Sequence, residues 1–195
     1  MIFRRRSVIA GRFNDAFEFG YYKATKLFMD VTGEEIYYNN FHYGLHEIDS
    51  QKTKKLDVLN GNSSNILVTN QISATEGGYL GKSHLILSNR DINILSTIVG
   101  NDIVHADDSF DFVVELSNTL TAPIIEIIKE EFNLNISYSD PSVMEYFDGD
   151  MSKVINREFQ KYADSVYTNA IFFSFKKYPD LRPCFVWVLN GNLFS

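Results

Sequence analysis

The chain has 195 residues, 45% of them hydrophobic, and a formal charge of -7. That length and apolar content suffice to bury the core of one globular domain, and the acidic balance excludes a general nucleic-acid binder, which needs basic surface. The single cysteine, Cys184, excludes an internal disulfide, and no window approaches the ~20 apolar residues of a membrane span; a soluble cytoplasmic protein is expected.

Arg4, Arg5 and Arg6 resemble the start of a signal sequence, but the apolar run behind them is too short for one. Arg12 to Thr32 predicts a helix with Phe13, Phe17, Ala24, Leu27 and Phe28 on its apolar stripe. Asn14 or Asp15 is placed to cap it and Gly33 to end it. Glu35 to Phe41 reads as a strand, and His42 to Lys55 as a loop. Asn60 to Ser64 is a turn between Leu56–Leu59 and Asn65–Ser73. After the Glu76-Gly77-Gly78 turn, Tyr79 to Leu87 is extended. Ser88 or Asn89 caps a short helix that Gly100 closes, with Ile92, Leu95, Ile98 and Val99 inward.

Beyond an acidic loop, Ser109 to Phe132 predicts a long helix, kinked by Pro123. Leu134 to Ser139 is extended, and Pro141 ends that segment. Met144 to Ser165 holds a short helix in this reading, and Val166–Lys176 and Pro183–Leu189 are paired strands. Short connections call for a mainly antiparallel sheet with the long helices on one side, an α/β (α+β) domain. The element order hints at two pseudo-repeated halves.

The long helix carries the chemistry. Val113, Leu116, Leu120, Ile124 and Ile127 recur at three- and four-residue steps and form a buried stripe. Asp111, Glu115, Asn118 and Ala122 form a second stripe, which sets a carboxylate and a carboxamide one turn apart. Leu116 and Leu120 should be buried and Glu115 and Asn118 exposed. On the first helix, Asn14, Glu18 and Tyr21 repeat the spacing of Asp111, Glu115 and Asn118, with a phenol in place of the amide. His42 and His46 have metal-ligand spacing but no third ligand in sequence, so no metal site is expected. Nucleophile elbow, P-loop and dinucleotide fingerprint are all missing from the sequence.

Asp111, Glu115, Asn118 and Pro141, separated by three, two and twenty-two residues, resemble the signature of the CheC, CheX and FliY chemotaxis phosphatases. The element order is most like CheX, over residues 1–195 as one domain, with an insertion at 144–165. Ala122 departs from the Gly that the family often has there. The resemblance implies hydrolysis of the aspartyl phosphate of a CheY-type response regulator. Glu115 and Asn118 would be catalytic, and Asp111, Glu115 and Ala122 would meet the partner. It implies no cofactor of the chain's own, Mg²⁺ on the partner, and a homodimer. The same superfamily contains flagellar-switch domains that bind without turnover, so a non-catalytic adaptor is the alternative.

Overall fold

The structure, a computed structural model, describes residues 2–47, 65–75, 78–100, 106–147, 157 and 165–194. Helix α1 (Ile2–Thr32) starts well before Arg12, so Asn14 and Asp15 lie inside it and do not cap it. Its inward stripe is Phe13, Phe17, Tyr21, Ala24 and Phe28. Leu27, expected on that stripe, is 44% exposed, because Tyr21, Ala24 and Phe28 already define the inward direction. Gly33, at φ 66°, ends the helix and donates its N–H to Met29 O at 2.8 Å.

Strand β1 (Ile36–Glu47) runs past its expected end at Phe41. The stretch from His42 lacks a period of its own, but β6 (Ser165–Phe175) supplies the missing partner: Glu47 pairs with Ser165, and a slip between Asn40 and His42 absorbs the irregularity. The Leu56–Leu59 run and the Asn60–Ser64 turn lie outside the described residues. Strands β2 (Asn65–Ala74) and β3 (Tyr79–Ser88) form the expected hairpin.

Helix α2 (Asn89–Val99) opens on a reciprocal cap. Ser88 Oγ accepts from Asp91 N–H at 3.1 Å, and Asp91 Oδ2 accepts from Ser88 N–H at 2.8 Å. Helix α3 (Ala106–Phe132) begins inside the stretch expected to be loop. Strand β4 (Ile136–Tyr138) follows, and β5 (Ser142–Phe147), paired with β2, takes up the first residues of the stretch expected to hold a short helix; Arg157, within that stretch, is helical. The rest of the expected insertion, apart from Arg157, lies outside the described residues. Strand β7 (Cys184–Asn190) and a 3₁₀ turn at Gly191–Phe194 complete the fold.

All strand pairs in the seven-stranded sheet are antiparallel, in the order β1-β6-β7-β3-β2-β4, with β5 also on β2. The order reads alike from both ends: β1 lies on β6 as β5 lies on β2, and β7 meets β3 at the centre. This is the pseudo-twofold of the two halves. The three helices share one apolar cluster with one sheet face, through Leu85, Phe185, Trp187 and Leu189. The other face buries a smaller cluster around Leu67, Ile86 and Val186. Where α1 crosses α3, a Cβ on Gly20 would stand 3.0 Å from Ile124 Cα, so the crossing needs a residue without a side chain.

Across the middle of the helix-facing sheet surface runs one row. Asn70 pairs with Ser83, Ser83 with Trp187, and Trp187 with Asn169. The pseudo-twofold passes through the centre of that row and exchanges Asn70 with Asn169. Both are fully buried, one under each long helix.

Candidate functional site

Burial of Val113, Leu116, Leu120, Ile124 and Ile127 fixes the rotation of α3. It leaves Asp111 and Glu115 exposed and Asn118, Ala122 and Pro123 half-buried. The stripe read from sequence is therefore the outer face of the helix. Asn118, expected to be exposed, is half-buried at the margin of that face, because its amide reaches Asn70 on the sheet.

Beneath it lies a polar group that the sequence reading did not single out. Asn70 interrupts the inward row Ile66, Val68, Ile72 of β2. A buried amide is costly unless its hydrogen bonds are made, and here they are. Asn70 Oδ1 accepts from Ser117 Oγ at 2.7 Å and from Thr121 Oγ1 at 3.5 Å. Asn70 Nδ2 donates to Asn118 Oδ1 and to Ser139 O, each at 3.2 Å. Ser83 Oγ lies 3.4 Å from Thr121 Oγ1. The signal in the sequence was a polar residue at an inward strand position, facing a helix whose apolar stripe carries Ser117 and Thr121 four residues apart.

The turn at 139–141 ties Pro141 to this site. Ser139 N–H donates to Gln71 O at 2.9 Å, and Gln71 N–H donates to Ser139 Oγ at 3.0 Å. Pro141 then separates β4 from β5, both of which lie on β2. It stands where the chain leaves one ladder before joining the next, a position that tolerates a missing N–H.

The first half repeats the frame with different chemistry. With the helices aligned on their buried positions, Phe17, Tyr21, Ala24 and Phe28 match Val113, Ser117, Leu120 and Ile124. Tyr21 is thus the counterpart of buried Ser117, which corrects the sequence alignment of Tyr21 with Asn118. Its phenol donates to Asn169 Oδ1 at 2.7 Å, as Ser117 does to Asn70. Burial pushes its pKa well above the ordinary value. The outward positions matching Asp111, Glu115 and Asn118 are Asp15, Phe19 and Tyr22, the two aromatics being 51% and 56% exposed. Asn14 and Glu18 turn sideways. Asn14 accepts from Tyr167, while Glu18 accepts from Tyr38 Oη at 2.9 Å and Asn40 Nδ2 at 3.2 Å. Burial, then the Glu18 bond, pushes Tyr38 up to about 12.

Other reactive side chains are occupied elsewhere. His84 is buried and bonded to Thr69 Oγ1 at 2.9 Å. Cys184 is buried, and desolvation holds its thiol protonated. Among the described residues no cluster of three metal-ligating side chains occurs; the side chains of His42 and His46, and all of His105, lie outside them. No helix among the described residues is long and apolar enough to cross a membrane.

No protein-family model and no curated protein matches the sequence. Solved structures match nearly its whole length. FliY of Thermotoga maritima superposes with a TM-score of 0.63 at 14% identity, covering 98% of this chain and 92% of that one. The FliM middle domain from H. pylori gives 0.52 at 6% identity, over 98% and 97% of the two chains. CheX of Borrelia burgdorferi, in its complex with CheY, BeF₃ and Mg²⁺, gives 0.51 at 11%, over 87% and 94%. The chain has the fold that these proteins share, the fold that the resemblance to the CheC, CheX and FliY family implied.

Proposed function

We propose that the outer face of α3 removes the phosphoryl group from the aspartyl phosphate of a CheY-type response regulator. The observation that carries this reading is the pairing of exposed Glu115 with Asn118, whose carboxamide is tethered at Oδ1 to the sheet. The shared fold with CheX, whose structure holds a CheY with BeF₃ and Mg²⁺, supports the choice of partner.

An aspartyl phosphate is a mixed anhydride. The oxygen of a water forms a bond to phosphorus as the acyl oxygen–phosphorus bond breaks. The electron pair stays on the regulator's carboxylate, and the water's proton leaves with the phosphate. Such a reaction is governed by alignment and by charge more than by covalent help from the enzyme. A carboxamide both donates and accepts, so Asn118 can hold the water in line without acting as a base. Glu115 would pair with a lysine beside the regulator's phosphorylated aspartate and so orient the docked partner. Asp111 and Ala122 border the same contact, and the Mg²⁺ belongs to the partner. A hundredfold acceleration requires about 2.7 kcal/mol of transition-state stabilisation, within reach of one well-placed amide.

The test is to phosphorylate candidate CheY-type receivers with a small phosphodonor and follow phosphate loss with and without this protein. Accelerated loss is expected. Binding to the phosphorylated receiver without acceleration would favour the adaptor reading, to which the FliM-like fold and the amide-free face of α1 lend support.

A further inference from the structure

The hydrogen bonds under α3 do more than satisfy a buried amide. We propose that Asn70 is a positioning residue that sets which end of the Asn118 carboxamide faces the partner, an inference that rests on the phosphatase reading above. Asn70 is fully buried and cannot touch the partner itself.

The orientation follows from one group that has no choice. Ser139 O is a main-chain carbonyl and can only accept, so the side of Asn70 facing it must be Nδ2. That places Oδ1 towards α3, where the hydroxyls of Ser117 and Thr121 rotate to donate to it. The remaining N–H of Asn70 Nδ2 points at Asn118 and requires an acceptor there, so Asn118 must turn Oδ1 inward. Its Nδ2 is thereby the end presented outward, together with the second lone pair of Oδ1. The oxygen and nitrogen of an amide are interchangeable in shape, and this chain of bonds removes the ambiguity. The Ser139 carbonyl is itself fixed by the two bonds between Ser139 and Gln71. The turn that carries Pro141 thus orients the amide on α3 through Asn70, which gives the long spacing between Asn118 and Pro141 a physical purpose.

A water held by one donor and one acceptor has a defined direction of attack only if the amide plane is fixed. Released from Asn70, the terminal torsion of Asn118 becomes broad and twofold, and misplacing a reacting group by about 1 Å can cost a hundredfold in rate. Asn70→Ser removes the donor to Asn118. Measured on the full chain with a phosphorylated receiver at saturation, it is expected to lower kcat on the order of tenfold. The Kd for the beryllofluoride-loaded receiver should stay unchanged. In an Asn118→Ala background, Asn70→Ser should cause no further loss, because a residue that acts through Asn118 has nothing left to position.

An unchanged kcat in folded Asn70→Ser, a loss confined to Kd, or an equal additional loss in the Asn118→Ala background would each overturn the inference. If Asn70→Ser does not fold, Ser117→Ala decides. It loosens Asn70 at Oδ1 and should lower kcat about threefold at constant Kd, the size of one hydrogen bond's contribution; wild-type kcat would overturn the inference. Wild-type protein that leaves the phosphoryl lifetime of every receiver unchanged would refute the phosphatase reading, and this inference with it.

Discussion

The two halves of the molecule share a frame and differ in where its polar network ends. In each, a long helix lies over a buried asparagine in the middle row of the sheet, Asn169 under α1 and Asn70 under α3. On the α1 side, the phenols of Tyr21 and Tyr167 occupy Asn169. The surface above shows Phe19 and Tyr22. On the α3 side, the small hydroxyl of Ser117 leaves room for Asn70 to pass a hydrogen bond on to Asn118. One inward side chain, a tyrosine or a serine, thus decides whether the frame is closed with aromatic rings or carries an ordered amide to the surface. The difference between the halves lies in a few side chains.

Four changes should set the two halves apart. Reversing charge on the α3 half, Glu115→Lys, should weaken docking of a phosphorylated receiver on the order of tenfold or more, since like charges at an interface cost several kcal/mol. Titrations at rising salt should show the loss shrinking as the charges are screened. The matching position, Phe19→Lys, should leave docking unchanged.

Tyr21→Phe strikes the closed half. It leaves buried Asn169 short of a donor and should cost about 1–3 kcal/mol of stability in denaturant melts, with turnover per folded molecule unaltered. A turnover loss there would mean that the halves are coupled.

Alkaline pH should also act on the closed half. Tyr38 ionises at about 12 in the folded chain and Tyr21 well above its ordinary value, whereas an unfolded tyrosine ionises at about 10. The folded state keeps protons that the unfolded state releases, so both contributions are complete below about pH 10; that of Tyr38 is lost as pH rises through about 12, and that of Tyr21 as pH rises through its own raised pKa. Phenolate absorbance should show these rings titrating late, together with unfolding. Tyr38→Phe should make the alkaline transition less steep.

The smallest effect is expected from Asp111→Ala, an exposed position near the start of α3, which should shift stability by less than about 0.5 kcal/mol and docking only slightly. A large loss in the binding titration would make Asp111 a principal contact.

The outer face of α3 was legible because a helix writes its two faces into the sequence at three- and four-residue steps. Val113, Leu116 and Leu120 fixed the rotation and with it the exposure of Glu115, whereas the half-burial of Asn118 depends on Asn70 beneath it. The hairpin β2–β3 and the Ser88 cap were legible for similarly local reasons. What was not legible depends on partners distant in sequence. His42 to Glu47 has no strand period, yet β6 holds it in the ladder. Leu27 fits a helical stripe as well as Tyr21 does, and only packing against the sheet shows which of them turns inward. Asn70 reads as an ordinary polar residue until α3 and the 139–141 turn are brought beside it, although its place in an inward apolar row was a clue. The pairing of Tyr21 with Ser117 emerged only from burial, because the two helices share spacing without sharing register.

In the proposed reaction the Asn118 amide on α3 holds the attacking water, and Tyr22, at the matching position on α1, takes no part. Steady-state dephosphorylation of one phosphorylated receiver by wild type, Asn118→Ala and Tyr22→Ala, beside a binding titration with the beryllofluoride-loaded receiver, tests it most directly. Asn118→Ala should lose turnover on the order of a hundredfold while binding persists, and Tyr22→Ala should match wild type. Wild-type turnover by folded Asn118→Ala, or loss of turnover in Tyr22→Ala alone, would contradict the account and move the site off α3.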